Sequence, residues 1–248
     1  MILYVDASAG VSGDMLLSAF LRMGLPVSRV HQAFQDFGFK ALVQTSLERC
    51  EGVGATRIKR WEVRPPLRWR CRQDFIDFVR ERKGDPFLRE SLLRVMNRLA
   101  IAEAQAHHQH QSRVALHQVG AADTLVNIVG FCVGLGHFQV KKVYVSSIPV
   151  GILHQDPLGV WRKAPGPATL RLLKGFPIRL FREPFEWTTP TGAALLSTFA
   201  SLGSPPPFRV HRIGFGMGQR RHPSGPRVLR LLLGQRSCVS LDTDSLLI

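Results

Sequence analysis

The run Asp6-Ala-Ser-Ala-Gly-Val-Ser-Gly-Asp14 sets one carboxylate at the end of an apolar stretch and a second at the start of a helical pattern, with two glycines and two serines between them. Backbone N–H groups at a helix start suit a phosphate, and Ser12 and Gly13 would line it; Asp6 and Asp14 would suit a divalent cation. No Gly-Lys-Ser/Thr follows, so the loop is not a P-loop. The same residues also make sense without a ligand, Asp14 as a helix N-cap and Asp6 as a turn residue, at about 1 kcal/mol each. A second constellation is His107, His108, His110 and His117, four of nine histidines within eleven residues, with Asp123 six positions beyond. Imidazoles gather nickel, copper or zinc, although a polar His-rich loop also occurs merely solvated.

A third motif, Glu186-Trp-Thr-Thr-Pro-Thr-Gly192, reads as a helix start with Thr189 as N-cap and Pro190 in the first turn. Helix geometry alone explains it, yet Thr189, Thr191 and Gly192 would also present donors to a phosphate or carboxylate. Two glycine-rich runs, Gly214-Phe-Gly-Met-Gly218 and His222-Pro-Ser-Gly-Pro226, read as turns between terminal strands, as plain connectors or as places of close approach to a ligand. No Ser-His-Asp or Cys-His spacing marks a nucleophilic triad.

The elements that must hold these residues alternate. Residues 2–5 form a buried strand, and the helical spacing of Met15, Leu16, Ala19, Phe20 and Met23 ends at Gly24 and Pro26. Helices follow over 28–37, 73–82, 86–105, 122–135, 166–174 and 189–201. Strands are expected in the stretch to Val63, broken at Gly52 and Gly54, and over 142–150, 176–181, 208–214 and 227–233. No repeat has a fixed period. This order predicts a mixed α/β (α+β) fold in one large globular unit spanning 1–235, with a His-rich loop near 106–117 and an irregular tail over 236–248.

Composition limits the function classes. The chain has 248 residues, 45% hydrophobic and 21% charged, which suits a folded protein with a sizeable core. Its net charge is +15, and 26 of its 33 cations are arginine. That field favours phosphate-bearing partners. The arginines are scattered, however, and no nucleic-acid motif orders them; only 57–72 interleaves arginine with Trp61 and Trp69, which could stack on bases. Cys50, Cys71, Cys132 and Cys238 form no CxxC pair, which argues against a zinc knuckle or a disulfide scaffold. The apolar run 125–140 is short of a bilayer span, and residence in the cytoplasm is the expectation.

Taken in order, the motifs resemble the nickel insertion proteins of nickel-pincer cofactor biosynthesis. The likeness rests on Ile2-Leu-Tyr-Val-Asp6, Gly10-Val-Ser-Gly-Asp-Met15, the His-rich tract, His117-Gln-Val-Gly-Ala-Ala-Asp123 and Ile128-Val-Gly130, and continues through Pro165-Gly-Pro-Ala-Thr-Leu170, Thr189-Pro-Thr-Gly-Ala-Ala194, Ile213-Gly-Phe-Gly216 and Val228-Leu-Arg230. It implies a lyase-type chelatase that delivers Ni²⁺ to pyridinium-3,5-bisthiocarboxylic acid mononucleotide, with CTP consumed, for lactate racemase and related enzymes. In that scheme His107, His108, His110 and His117 gather the metal, and Asp6, Asp14, His117 and Asp123 are the catalytic candidates, with His117, Asp6 or Asp14 accepting the ring proton. Ser12, Gly13, Thr189, Thr191 and Gly192 hold the phosphorylated substrate.

The chain departs from the family pattern at Gln118, where Glu is usual, at Asn127, where Asp is usual, at Gly159-Val-Trp161, where His-Gly is usual, and at Arg227, where Asn is usual. Gln118 and Asn127 each remove a negative charge and so raise the net positive charge. The family's C-terminal domain is expected to be absent, with a separate polypeptide and the apo-racemase as partners; the oligomeric state stays open. A catalytically silent metal-storage or scaffold paralogue is the alternative expectation, and a basic nucleic-acid binder the third.

Overall fold

In the computed structural model the described residues are 1–50, 52–64, 72–108, 110, 122–155, 160–220, 222 and 225–237. β1 (Ile2–Asp6) is buried along almost its whole length, because Leu3 and Val5 are apolar and both of its edges are paired. It runs parallel to β4 (Lys142–Val145) and antiparallel to β9 (Val228–Arg236). With β2 (Lys40–Cys50), β3 (Val53–Arg64) and β8 (Phe208–Met217) they form a six-stranded sheet in the order β2-β3-β8-β9-β1-β4. The parallel pairings β1–β4 and β3–β8 and the antiparallel β8–β9–β1 run bring the carboxyl ends of β1, β3, β4 and β8 to one edge. A second sheet has the order β6-β5-β7, from β5 (Ile148–Gln155), β6 (Trp161–Lys163) and β7 (Ile178–Pro184). The fold is thus mixed α/β, as the alternating pattern implies.

The helices are α1 (Gly13–Met23), α2 (Val27–Asp36), α3 (Arg72–Arg80), α4 (Pro86–Ala106), α5 (Ala122–His137), α6 (Pro167–Leu172) and α7 (Pro190–Phe199). α1 ends at Gly24, whose φ of 114° is the left-handed conformation that glycine allows at a helix stop. One contiguous apolar cluster runs from Leu3 to Leu233 and includes side chains of α1, α4, α5 and α7. α5 lies close on α1: a Cβ at Gly130 would come within 2.6 Å of Leu17, and one at Gly134 within 2.6 Å of Phe20. Gly130 and Gly134 are therefore packing residues: Leu17 fills the space at the first, and Phe20, with Phe131 and Phe138 around it, the space at the second. No helix among the described residues is long and apolar enough to cross a membrane.

Three local expectations are corrected. The single strand over 142–150 is two strands in different sheets. Ser146 donates its N–H to Val5 O (3.0 Å) and accepts the Ala7 N–H on its hydroxyl (3.0 Å), which ends pairing with β1; Ile148 then donates to Pro177 O (2.8 Å) beside β7. Val145, Ile148 and Val150 are all buried, so the apolar run conceals the break. The stretch Gly214-Phe-Gly-Met217 is the end of β8 and not a turn. A Cβ at Gly214 would land on the Ala19 carbonyl oxygen, so these glycines let α1 lie flat on the strand. The N-cap of α1 is Ser12 and not Asp14: its hydroxyl accepts the Met15 N–H at 3.4 Å, and Asp14 sits in the first turn. The three-residue β6 was not anticipated and is too short to leave a periodic signal.

Candidate functional site

The loop leaving β1 and the start of α7 are tied together by backbone. Val11 donates to Trp187 O (2.8 Å) and accepts from the Thr189 N–H (3.1 Å), and Val11 and Thr188 form a parallel bridge. A Cβ on Gly192 would lie 2.7 Å from Val11 O and 3.0 Å from Ser12 Cα. Gly192 therefore lets the first turn of α7 approach the first turn of α1. Thr189 caps α7 by accepting the Gly192 N–H at 3.2 Å, with Pro190 following, as the sequence suggests. The two amino-terminal ends place positive partial charge on one corner.

The third wall is α5. A Cβ on Gly13 would meet Asn127 Cβ at 2.6 Å and Thr191 Cγ2 at 3.0 Å, so α1, α5 and α7 converge at Gly13. Asp123 stands one turn before Asn127 on the same helix face, half-buried, and accepts the N–H of Thr124 at 2.8 Å. The fourth wall is the segment after β8. Gln219 donates its N–H to Asp14 Oδ2 at 2.6 Å, while Ser12 donates its hydroxyl to Asp14 Oδ1. Both Asp14 oxygens are therefore engaged, and its carboxylate links α1 to the end of β8.

Asp6 lies at the same edge with a different partner. Arg230 of β9 clasps Asp6 Oδ2 through Nε at 2.8 Å and through Nη2, and the Ser8 N–H donates to Oδ1 at 3.0 Å. Burial works against ionisation of Asp6, but the Ser8 and Arg230 hydrogen bonds outweigh it and hold the carboxyl below its ordinary range. Such an ion-paired carboxylate is a weak proton acceptor near neutral pH.

Sequence reading missed Arg57, which fixes the Gln219 segment from behind. Its guanidinium, 8% exposed, donates through Nε to both Glu48 oxygens (3.1 Å each) and through Nη1 to Gly218 O. Lys59 Nζ, 2.6 Å from Glu48, is the largest cause holding the Glu48 carboxyl down to about 2, against a smaller effect of burial, with Arg57 adding to it. Because the folded value lies below the ordinary 4.5, this stabilisation is full above about pH 4.5 and is lost as pH falls toward 2. Glu48→Gln is accordingly expected to remove about 1–2 kcal/mol at neutral pH, after solvent screening, and to flatten the urea stability curve between about pH 4.5 and 2. An unchanged acid limb would contradict it.

The other candidate residues lie elsewhere or outside the described residues. His107 caps α4 and sits 3.5 Å from Glu103, whose carboxyl is raised by burial against the opposing pull of His107. His108 and His110 are exposed. His117 and Gln118 lie outside the described residues, as does Gly159. No group of three His, Cys, Asp or Glu side chains among the described residues could hold a metal ion. Of the cysteines, Cys50 and Cys132 are buried thiols, Cys132 pushed by burial up to about 12, and Cys71 and Cys238 lie outside. In the basic stretch, Arg57 is turned inward and Arg60 and Arg64 pair with Glu62 beside a half-buried Trp61; Trp69 lies outside the described residues.

Strands ending on one sheet edge, crowned by the amino-terminal ends of α1 and α7 and flanked by α5, define a mixed α/β protein with a polar, donor-rich corner at the carboxyl end of its sheet. The chain belongs to the nickel insertion protein family, whose model matches residues 3–247. It is 31% identical over 255 residues to a protein of Geotalea daltonii named for nickel insertion, covering 100% of this chain and 64% of that protein. A similarly named protein of Synechococcus sp. (strain JA-3-3Ab) is 35% identical over 242 residues, covering 94% of this chain and 60% of its own length. The chain thus spans less than two thirds of these relatives. No solved structure matches it.

Proposed function

We propose that this chain handles nickel for insertion into a phosphorylated pyridinium substrate, pyridinium-3,5-bisthiocarboxylic acid mononucleotide, in assembly of the nickel-pincer cofactor. The observation that carries this reading is the apposition of the α1 and α7 amino-terminal ends at Gly13, Thr191 and Gly192, in a member of a family named for nickel insertion. Backbone donors and helix dipoles there suit the substrate phosphate. No lysine-bearing glycine loop stands at the corner, and no step on this chain is assigned to CTP. Nickel is the cargo, and the histidines His107, His108, His110 and His117 are its proposed carriers; Asp14 and Asp123, rather than the ion-paired Asp6, are the better-placed proton acceptors.

The test combines this chain, apo-racemase, Ni²⁺, CTP and the substrate with the C-terminal part of a longer relative supplied in trans. Racemase activation is expected. Thr191→Val should weaken substrate binding about tenfold, the effect of losing one hydrogen bond to a charged group, without lowering the melting temperature. Alanine at His107, His108, His110 and His117 together should abolish tight Ni²⁺ binding in isothermal titration. A folded chain that activates nothing would overturn the chelatase reading. It would favour a silent metal-storage or scaffold protein, a reading supported by the neutral Asn127 at the corner and the Arg230 clasp on Asp6.

A further inference from the structure

Between Arg162 and Arg236 the chain carries thirteen cations and two acids, Glu183 and Glu186. Both acids lie within the four residues before Trp187. The indole, 2% exposed, stacks on Phe181 with ring centroids 4.3 Å apart and an interplanar angle of 25°, and Phe185 meets it edge-on at 5.7 Å. His222 is 5.3 Å from the indole. The guanidinium of Arg227 lies over the Trp187 ring at 4.3 Å, with Nη2 3.6 Å from Glu183 and 3.2 Å from His222 Nδ1. Glu186 is paired with Arg220. The Arg227 side chain is 29% exposed, so it reaches the surface while covering an indole that is not exposed. The Trp187 N–H is buried without a hydrogen-bond partner among the described residues.

An aromatic platform walled by a carboxylate recognises a flat organic cation: the ring faces attract positive charge and the carboxylate neutralises it. We infer that Phe181, Trp187, His222 and Glu183 form a binding site for a planar organic cation, which the protein's own Arg227 fills and a ligand enters by displacing it. A chain of net charge +15 repels cations at long range, so the Glu183 carboxylate beside the Arg227-covered indole gives a local exception. The site adjoins the α1–α7 corner through the Trp187 carbonyl, which accepts the Val11 N–H. A ligand with a cationic ring on Trp187 and a phosphate at that corner would use both; this last link rests on the proposed function, whereas the cation site does not.

The probe is the 1-methylnicotinamide cation, planar and free of phosphate, with neutral nicotinamide as its uncharged control, titrated calorimetrically into the full chain. Arg227→Ala is expected to bind the cation at least tenfold more tightly than wild type and to leave nicotinamide binding unchanged. Adding Glu183→Gln to Arg227→Ala should remove the gain, and adding Trp187→Leu should remove it as well. Glu183 is a surface residue, so its variant keeps the test decisive if Trp187→Leu fails to fold. The inference is overturned if Arg227→Ala binds no tighter, if nicotinamide gains equally, or if the gain survives Glu183→Gln. A negative result with this phosphate-free probe leaves the helix-end corner untouched, and failed racemase activation with intact cation binding counts against the proposed function alone.

Discussion

Valine at Gly216 is expected to lower stability by about 4 kcal/mol or more, enough to leave much of the chain unfolded without denaturant. A Cβ there would land on the Met15 carbonyl oxygen and 2.5 Å from the Ala19 nitrogen. Both are backbone atoms of α1, so no rotamer change relieves the overlap and the whole helix must move. It cannot move away freely, because Leu17 and Phe20 on α1 already fill the space left by Gly130 and Gly134 of α5. The start of the same helix carries Ser12, Gly13 and Asp14, so strain at Gly216 also reaches the candidate site. Gly136→Ala is the contrast: it sits near the end of α5 with nothing within 4 Å of its would-be Cβ, and alanine should gain about 0.5–1 kcal/mol there. Urea unfolding of the two variants checks both signs. A Gly216→Val midpoint close to wild type would show that α1 is not clamped between β8 and α5.

What was legible in the sequence was what local chemistry decides. Thr189-Pro190 marks the start of α7 because a hydroxyl cap and a proline without an N–H are both useful only there, and Gly24 with Pro26 marks the stop of α1 because the chain must turn left-handed. Gly214 and Gly216 misled because a glycine that admits a turn and a glycine that admits a neighbouring helix look alike until the neighbour is placed. The partners of the site carboxylates were illegible for a related reason. Arg230 is 224 positions from Asp6 and Gln219 is 205 from Asp14, and nothing in either segment encodes the pairing. Arg57 was read as part of a basic, aromatic-interleaved stretch, yet its position on β3 turns it inward onto Glu48 and Gly218. These arginines thus say little about partners, since Arg57, Arg227 and Arg230 are held by the protein's own acids.

Asn127→Asp is expected to make the corner a divalent-metal site and to tighten Ni²⁺ binding at least tenfold. Asn127 presses on Gly13, beside Asp14 in the chain and one turn after Asp123 on α5. Aspartate has nearly the same shape, so the change adds charge without a packing defect. In the absence of metal two effects oppose: the amino-terminal end of α1 favours a carboxylate by about 0.3–1 kcal/mol, and a like charge at Asp123, four residues away on one helix face, disfavours it by a similar amount. Stability without metal should therefore shift by less than about 1 kcal/mol. With Ni²⁺ at a hundred times the dissociation constant of the corner, linkage there should stabilise the variant by about 2.7 kcal/mol, read as a rise in melting temperature beyond any that the histidines give wild type. Magnesium at equal concentration should do less, because it surrenders its water shell reluctantly. The resemblance places aspartate at this position in the family, so such a gain would mean that the helix-end corner keeps its anion-binding form while its metal-binding charge has been neutralised. If Ni²⁺ affinity and melting temperature do not change, the corner binds no metal even when fully acidic, and nickel handling falls to the histidines that follow α4.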